Sequence, residues 1–179
     1  MIKTNPLSLK DIKDMAGRIR KEYGVLPLDC FPIFDYLNHL FENNYLSIQY
    51  IENDDPYLDK NTPAIYNTVD NFIYMKEEVL KEYDEGNFRA NFTLAHELFH
   101  YLQTQVFKFK FIEVQDCYPY EDTEWQANQF AGELLLPEEA LVLKEQELVD
   151  KYKVSMECVL TRKAQVKNRA NRKKMTSGI

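Results

Sequence analysis

The segment FTLAHELFH, residues 92–100, limits what this chain can become more than any other stretch of it. Phe92, Ala95, Leu98, Phe99 and Leu102 recur at three- and four-residue steps, which predicts a helix over Phe88–Gln105 with one apolar face. On that helix His96 and His100 stand one turn apart and project from the same side. Two imidazoles so spaced can grip one zinc ion, each through nitrogen at roughly 2.0–2.1 Å. Glu97 lies about 100° around the helix from His96, near the metal but off the ligand axis, where a base can take a proton from water. The plain alternative is a helical His pair used only for packing or polarity. Against it, two of the chain's three histidines fall inside this one HExxH pattern.

Composition narrows the class. The chain has 179 residues, ordinary for one globular domain, and we expect a single domain over 1–179. It is 45% hydrophobic, enough for a sizeable core, and its twelve Tyr and eleven Phe point to aromatic packing. No apolar run approaches bilayer length, and the start MIKTNPLSLK has no apolar signal region, so a cytoplasmic protein is expected. Cys30, Cys117 and Cys158 are widely spaced and without a CxxC, which reads as three free thiols. A metal here must therefore be held by histidine and carboxylate.

The net charge of −7 is unevenly spread. Seven basic side chains and no acid fall within residues 161–179, leaving 15 basic against 29 acidic groups, a net of −14, over residues 1–160. An acidic body repels nucleic acid and favours basic protein partners. The basic tail is the one segment suited to a nucleic-acid contact, and a solvated, fraying terminus is its more ordinary reading.

Elsewhere the pattern predicts an α+β fold. A helix is expected from Leu9 to about Tyr23, capped by Ser8 and stopped at Gly24, and a second after Asp29 through FPIFDYLNHLF. The runs LSIQYI, AIYN and NFIYM read as strands, the last two as a hairpin, giving a small, mostly antiparallel sheet against the HExxH helix. VFKFKFIEVQ is either a strand or an extended connection. Further helices are expected over Thr123–Leu136, in PEEALVLKEQELVDKY, and after Ser155 into the basic tail.

The third ligand must be a carboxylate, since no later His falls in HExxHxxGxxH spacing. Glu113, Asp116, Glu121, Asp122, Glu124 and Glu133 are the candidates. Glu124 is preferred for its surroundings: it shares a helix face with Ala127, Asn128 and Ala131, the alanines small enough for close approach to the HExxH helix. Asn128 is placed to hydrogen-bond a ligand or the neighbouring backbone. Taken alone, an acid in a first helical turn is more often a solvated partner of the helix dipole. Tyr66, Tyr101, Tyr118 and Tyr120 are candidates to stabilise an oxyanion, and each is more ordinarily a packing residue. His39 and Trp125 read as structural.

FTLAHELFH followed by EWQANQFAGELLLP resembles the ImmA/IrrE family of bacterial metallopeptidases, whose second motif reads E-x-x-A-N-x-F-A-x-x-L-L-x-P. Glu124, Ala127, Asn128, Phe130, Ala131, Leu134, Leu135 and Pro137 fill every fixed position. The resemblance covers about residues 64–137, and extends more weakly to the terminal helix. It implies a compact zincin-like domain with Zn2+ on His96, His100 and Glu124, and Glu97 as general base. It further implies cleavage of a helix-turn-helix repressor or similar regulatory protein encoded nearby, as in relatives on mobile genetic elements. A non-catalytic, metal-dependent regulator of a repressor or antitoxin is the alternative. One departure is Phe99, where the family commonly has Gly, a bulk that either narrows the cleft or packs. Another is the lack of a fused DNA-binding unit such as some relatives carry.

Overall fold

The computed structural model describes the backbone of residues 1–176 and side chains as far as residue 170. In chain order the elements are β1 (Ile2–Lys3), α1 (Leu9–Glu22), α2 (Ile33–Glu42), β2 (Ser47–Ile51), β3 (Ala64–Asn67), β4 (Phe72–Lys76), α3 (Glu78–Asp84), α4 (Arg89–Tyr101), β5 (Ile112–Glu113), α5 (Thr123–Leu135), α6 (Glu145–Tyr152) and α7 (Met156–Thr176). A π-helical turn over Leu102–Val106 continues α4, and short 3-10 turns cover Pro119–Glu121 and Glu138–Val142. Among the described residues no helix is long and apolar enough to cross a membrane.

Local chemistry accounts for most boundaries. Ser8 caps α1 by accepting from Asp11 N, while the Asp11 carboxylate accepts from Ser8 N, a reciprocal box that satisfies two otherwise orphaned donors. Gly24, at φ +75°, ends that helix in a conformation a side chain resists. Pro32 stands at the N-cap of α2, just ahead of its first turn, where its missing N–H costs nothing. Ser155 accepts from Cys158 N at the start of α7.

The main sheet has the order β2-β4-β3. β3 and β4 form the expected hairpin, with Tyr66 opposite Ile73 and Asn71 in the left-handed region at its turn. β2 instead lies parallel to β4, because the chain between them must first make β3 on the far edge. β1 and β5 form a second, antiparallel pair. Antiparallel pairing thus predominates, and the fold is α+β. VFKFKFIEVQ proves mostly an extended connection, with only Ile112–Glu113 paired. Lys76, wholly buried in β4, donates to the carbonyls of Asp59 (2.7 Å) and Lys60 (3.0 Å) and so ties down the long connection after β2.

The core joins α1, α2, α4 and α5 to the inner faces of β3 and β4: Ile12, Leu37, Ile73, Leu94, Leu98, Phe130 and Leu134 are at most 1% exposed. The described part of the basic C-terminal segment departs from expectation. As far as Arg169, α7 is docked: Arg162 is buried beside Glu133, Lys163 binds Glu145 (2.7 Å), and Arg169 reaches Glu138 (3.3 Å). Arg172, Lys173 and Lys174, which complete the predicted basic tail, lie outside the described side chains.

The Ser8 box yields a direct test. Ser8→Ala should lower the unfolding free energy by about 1 kcal/mol in urea titration, with an unchanged m-value.

Candidate metal centre

Three local features converge here. α4 buries Leu94, Ala95, Leu98 and Phe99 completely, which turns His96 and His100 towards a cleft on its other side. α5 lies against α4 through Ala127 and Ala131, both wholly buried, and Phe130 stacks on Phe99 with ring centroids 4.6 Å apart. Phe99 therefore packs between the helices and does not narrow the cleft. The close approach carries Glu124, in the first turn of α5, to the two imidazoles. Asp122 caps α5 by accepting from Glu124 N.

His96 Nε2 lies 3.0 Å from His100 Nε2 and 3.2 Å from Glu124 Oε2, and His100 Nε2 lies 3.4 Å from Glu124 Oε1. Ligands held 2.0–2.1 Å from one ion at tetrahedral angles stand roughly 3.3 Å apart. The three side chains are the one His/Cys/Asp/Glu cluster with metal-ligand spacing among the described residues. Each Nδ1 faces a side-chain amide oxygen, Asn128 Oδ1 for His96 (3.2 Å) and Gln103 Oε1 for His100 (3.1 Å). That leaves both Nε2 atoms directed at each other and at a carboxylate, an arrangement suited to a cation held between them. The donor set fits a zinc ion.

Glu97 is 8% exposed and lies on the cleft wall. β3 is the outer strand of its sheet, so Tyr66 N is not used by β4 and donates to Glu97 Oε2 at 2.8 Å. Burial pushes the Glu97 carboxyl up to about 7, opposed by that N–H and by His96. Burial also depresses His100, helped by its neighbour His96. For His96, burial is outweighed by the Glu124 hydrogen bond and the nearby carboxylates, and its pKa is raised. The bond to His96 holds Glu124 below the usual carboxylate range.

The cleft itself has a volume of about 550 Å³. Ile65 and Thr68, in and beyond β3, line one side, and Ile2 of β1 with Phe111 ahead of β5 line another. Of the other carboxylate candidates, Glu121 binds Lys3 (2.8 Å), Asp122 is the α5 cap, and Glu133 pairs with buried Arg162. Glu113 and Asp116 stay outside the cluster. Of the four tyrosines only Tyr66 lines the cleft, its hydroxyl bonded to Asn71 Oδ1 (3.0 Å) and Thr104 Oγ1 (3.3 Å). Tyr101 is buried edge-on against Tyr66, and Tyr118 and Tyr120 stack on each other at the exposed 3-10 turn. His39 lies exposed on α2 against Tyr23. Two contributors carried no sequence signal: Gln103, which the π turn brings under His100, and the Tyr66 backbone N–H that holds Glu97.

An HExxH helix, an acid from a following helix and a carboxylate held by an outer strand define the class, a zincin-like metallopeptidase domain. The chain belongs to the IrrE N-terminal-like domain family, peptidase M78, whose model matches residues 75–167 and so spans both helices of the site. Among solved structures, a Mycobacterium tuberculosis transcriptional regulator is similar in fold, with a TM-score of 0.53 and 19% identity. The similarity covers 84% of this chain and 45% of that one, so the chain spans less than half of the regulator's length. No curated protein matches the chain.

Glu124 and Glu133, both on α5, should separate cleanly. Glu133→Ala leaves the Arg162 guanidinium buried without its partner and should cost about 3–5 kcal/mol in denaturant unfolding while zinc still binds. Glu124→Ala, at a side chain 60% exposed, should leave metal-free stability nearly unchanged and abolish tight zinc binding in a chelator-competition titration.

Proposed function

We propose that this chain is a zinc-dependent endopeptidase, with His96, His100 and Glu124 as the metal ligands and Glu97 as general base and acid. The observation that carries this reading is the single cleft in which the three converging ligand atoms and the anchored Glu97 carboxylate meet. When bound, zinc would supply the Lewis acidity that activates water and polarises a peptide carbonyl.

The chain's own groups would then handle protons and position. Glu97 would take a proton from the attacking water and return it to the departing amine nitrogen. A carboxyl pushed up to about 7 suits both directions of that transfer. The Tyr66 N–H fixes one oxygen of Glu97, leaving the other to face the water. Of the tyrosines named above, Tyr66 is the one positioned at the cleft to stabilise an oxyanion, by leaving its Asn71 and Thr104 partners. The cleft is open, with Ile2, Ile65 and Phe111 beside its polar groups, which suits an extended protein segment.

The substrate we assign is a helix-turn-helix repressor or similar regulatory protein encoded beside this chain. The resemblance to the ImmA/IrrE family supports this, and membership of the peptidase family supports a protein substrate. Zinc-loaded protein incubated with that neighbouring repressor should yield discrete fragments by mass spectrometry. Chelation should stop the reaction, and Glu97→Gln should retain zinc while lowering the cleavage rate by about 10²-fold or more. A complex that forms only with zinc, is indifferent to Glu97→Gln, and never yields fragments would replace the peptidase with a non-catalytic regulator.

A further inference from the structure

Resting on the metal-ligand assignment above, we propose that Gln126 and Gln103 form a buried relay that fixes the tautomer of His100, so that Gln126, which touches no ligand, is a positioning residue for metal binding. An amide side chain can present either its oxygen or its NH2 to a neighbour, and a histidine adapts to whichever it meets. Something must decide the polarity.

In this chain the decision is made at backbone carbonyls. Gln126, wholly buried on α5, places Nε2 2.8 Å from Asn5 O and 2.8 Å from Tyr120 O. Two carbonyls accept and never donate, so the NH2 must be the group that faces them, and both its hydrogens are used. Gln126 Oε1 is then necessarily the acceptor turned towards Gln103, which donates from Nε2 at 2.8 Å. Gln103, also wholly buried, therefore has its oxygen on the other side, 3.1 Å from His100 Nδ1. His100 must carry its proton on Nδ1, and the bare lone pair sits on Nε2, the atom that faces His96 and Glu124.

The remaining neighbour cannot set this order. Thr123 Oγ1 donates to Gln103 Oε1 at 2.8 Å, but a hydroxyl turns to donate or accept as required. On the other imidazole, Asn128 is exposed, and its oxygen alone meets His96. The two ligands thus differ: His100 is locked from the protein interior, whereas His96 is oriented from the surface. The lock also ties the metal position to the N-terminal segment through Asn5 O and to the 3-10 turn through Tyr120 O.

The test combines a variant, its rescue and a spectroscopic signature. In Gln126→Leu the Gln103 amide is free to turn its NH2 to His100, which would move the imidazole proton to Nε2. Zinc affinity, measured by chelator competition, should fall about 10–100-fold. Adding Gln103→Glu, whose carboxylate can only accept, should restore affinity in the double variant although the bond to residue 126 is still absent. Long-range proton–nitrogen NMR on the metal-free wild-type protein, above the imidazole titration range, should show His100 protonated at Nδ1. Equal zinc affinity in wild type and Gln126→Leu, failure of Gln103→Glu to rescue, or a His100 proton on Nε2 in the wild type would each overturn the relay. Absence of zinc binding by the wild type would instead overturn the metal-ligand assignment, so the two failures are distinguishable.

Discussion

The close approach of α5 to α4 is the constraint on which the rest depends. Beneath the polar contacts of His96 and His100, the buried side chains between these helices are small (Ala127, Ala131) or flat and stacked (Phe99 on Phe130). Larger residues at those alanines would hold the axes apart and carry Glu124 away from the imidazoles, since helix separation follows from contact side-chain size. Apolar packing on one side of α4 thus sets the polar geometry on the other. The convergence of His96, His100 and Glu124 follows from that packing.

Around that interface the protein accepts electrostatic costs in places that serve the site. Glu97 is buried and its carboxyl is pushed up to about 7, a penalty only partly offset by one backbone N–H and by His96. Burial and the neighbouring His96 depress the pKa of His100, which favours the neutral state in which an imidazole binds a metal. By contrast, the buried Glu133–Arg162 pair, on the same helix as Glu124, is structural: it fastens α7 to α5, with Arg162 Nε also directed at Leu136 O. Two glutamates nine positions apart therefore do opposite work, and only their surroundings distinguish them.

Several elements were invisible to pattern because their partners lie far off in the chain. α3 is seven residues between a strand and the Gly86 turn, too short for a helical period to declare itself. The parallel pairing of β2 with β4 depends on which strand takes the centre, and alternation within a strand does not carry that information. Gln103 and Gln126 look like ordinary polar residues in the sequence; wholly buried and bonded to one another, they acquire a role that neither has alone. The basic segment from residue 161 was misleading for the same reason: charge alone suggests solvent, and the acids that receive Arg162, Lys163 and Arg169 lie 18 to 31 residues earlier.

What the sequence determined by itself is local: the α4 face that sets two imidazoles one turn apart, the Ser8 cap, the β3–β4 hairpin, and the E-x-x-A-N motif of α5. Each is fixed by periodicity or by chemistry among residues a few positions apart. Tertiary structure decided which of six carboxylates meets those imidazoles, that β3 is an outer strand with an N–H to spare for Glu97, and that Phe99 packs rather than blocks. Those outcomes depend on distances between segments, and such distances exist only once the core has closed.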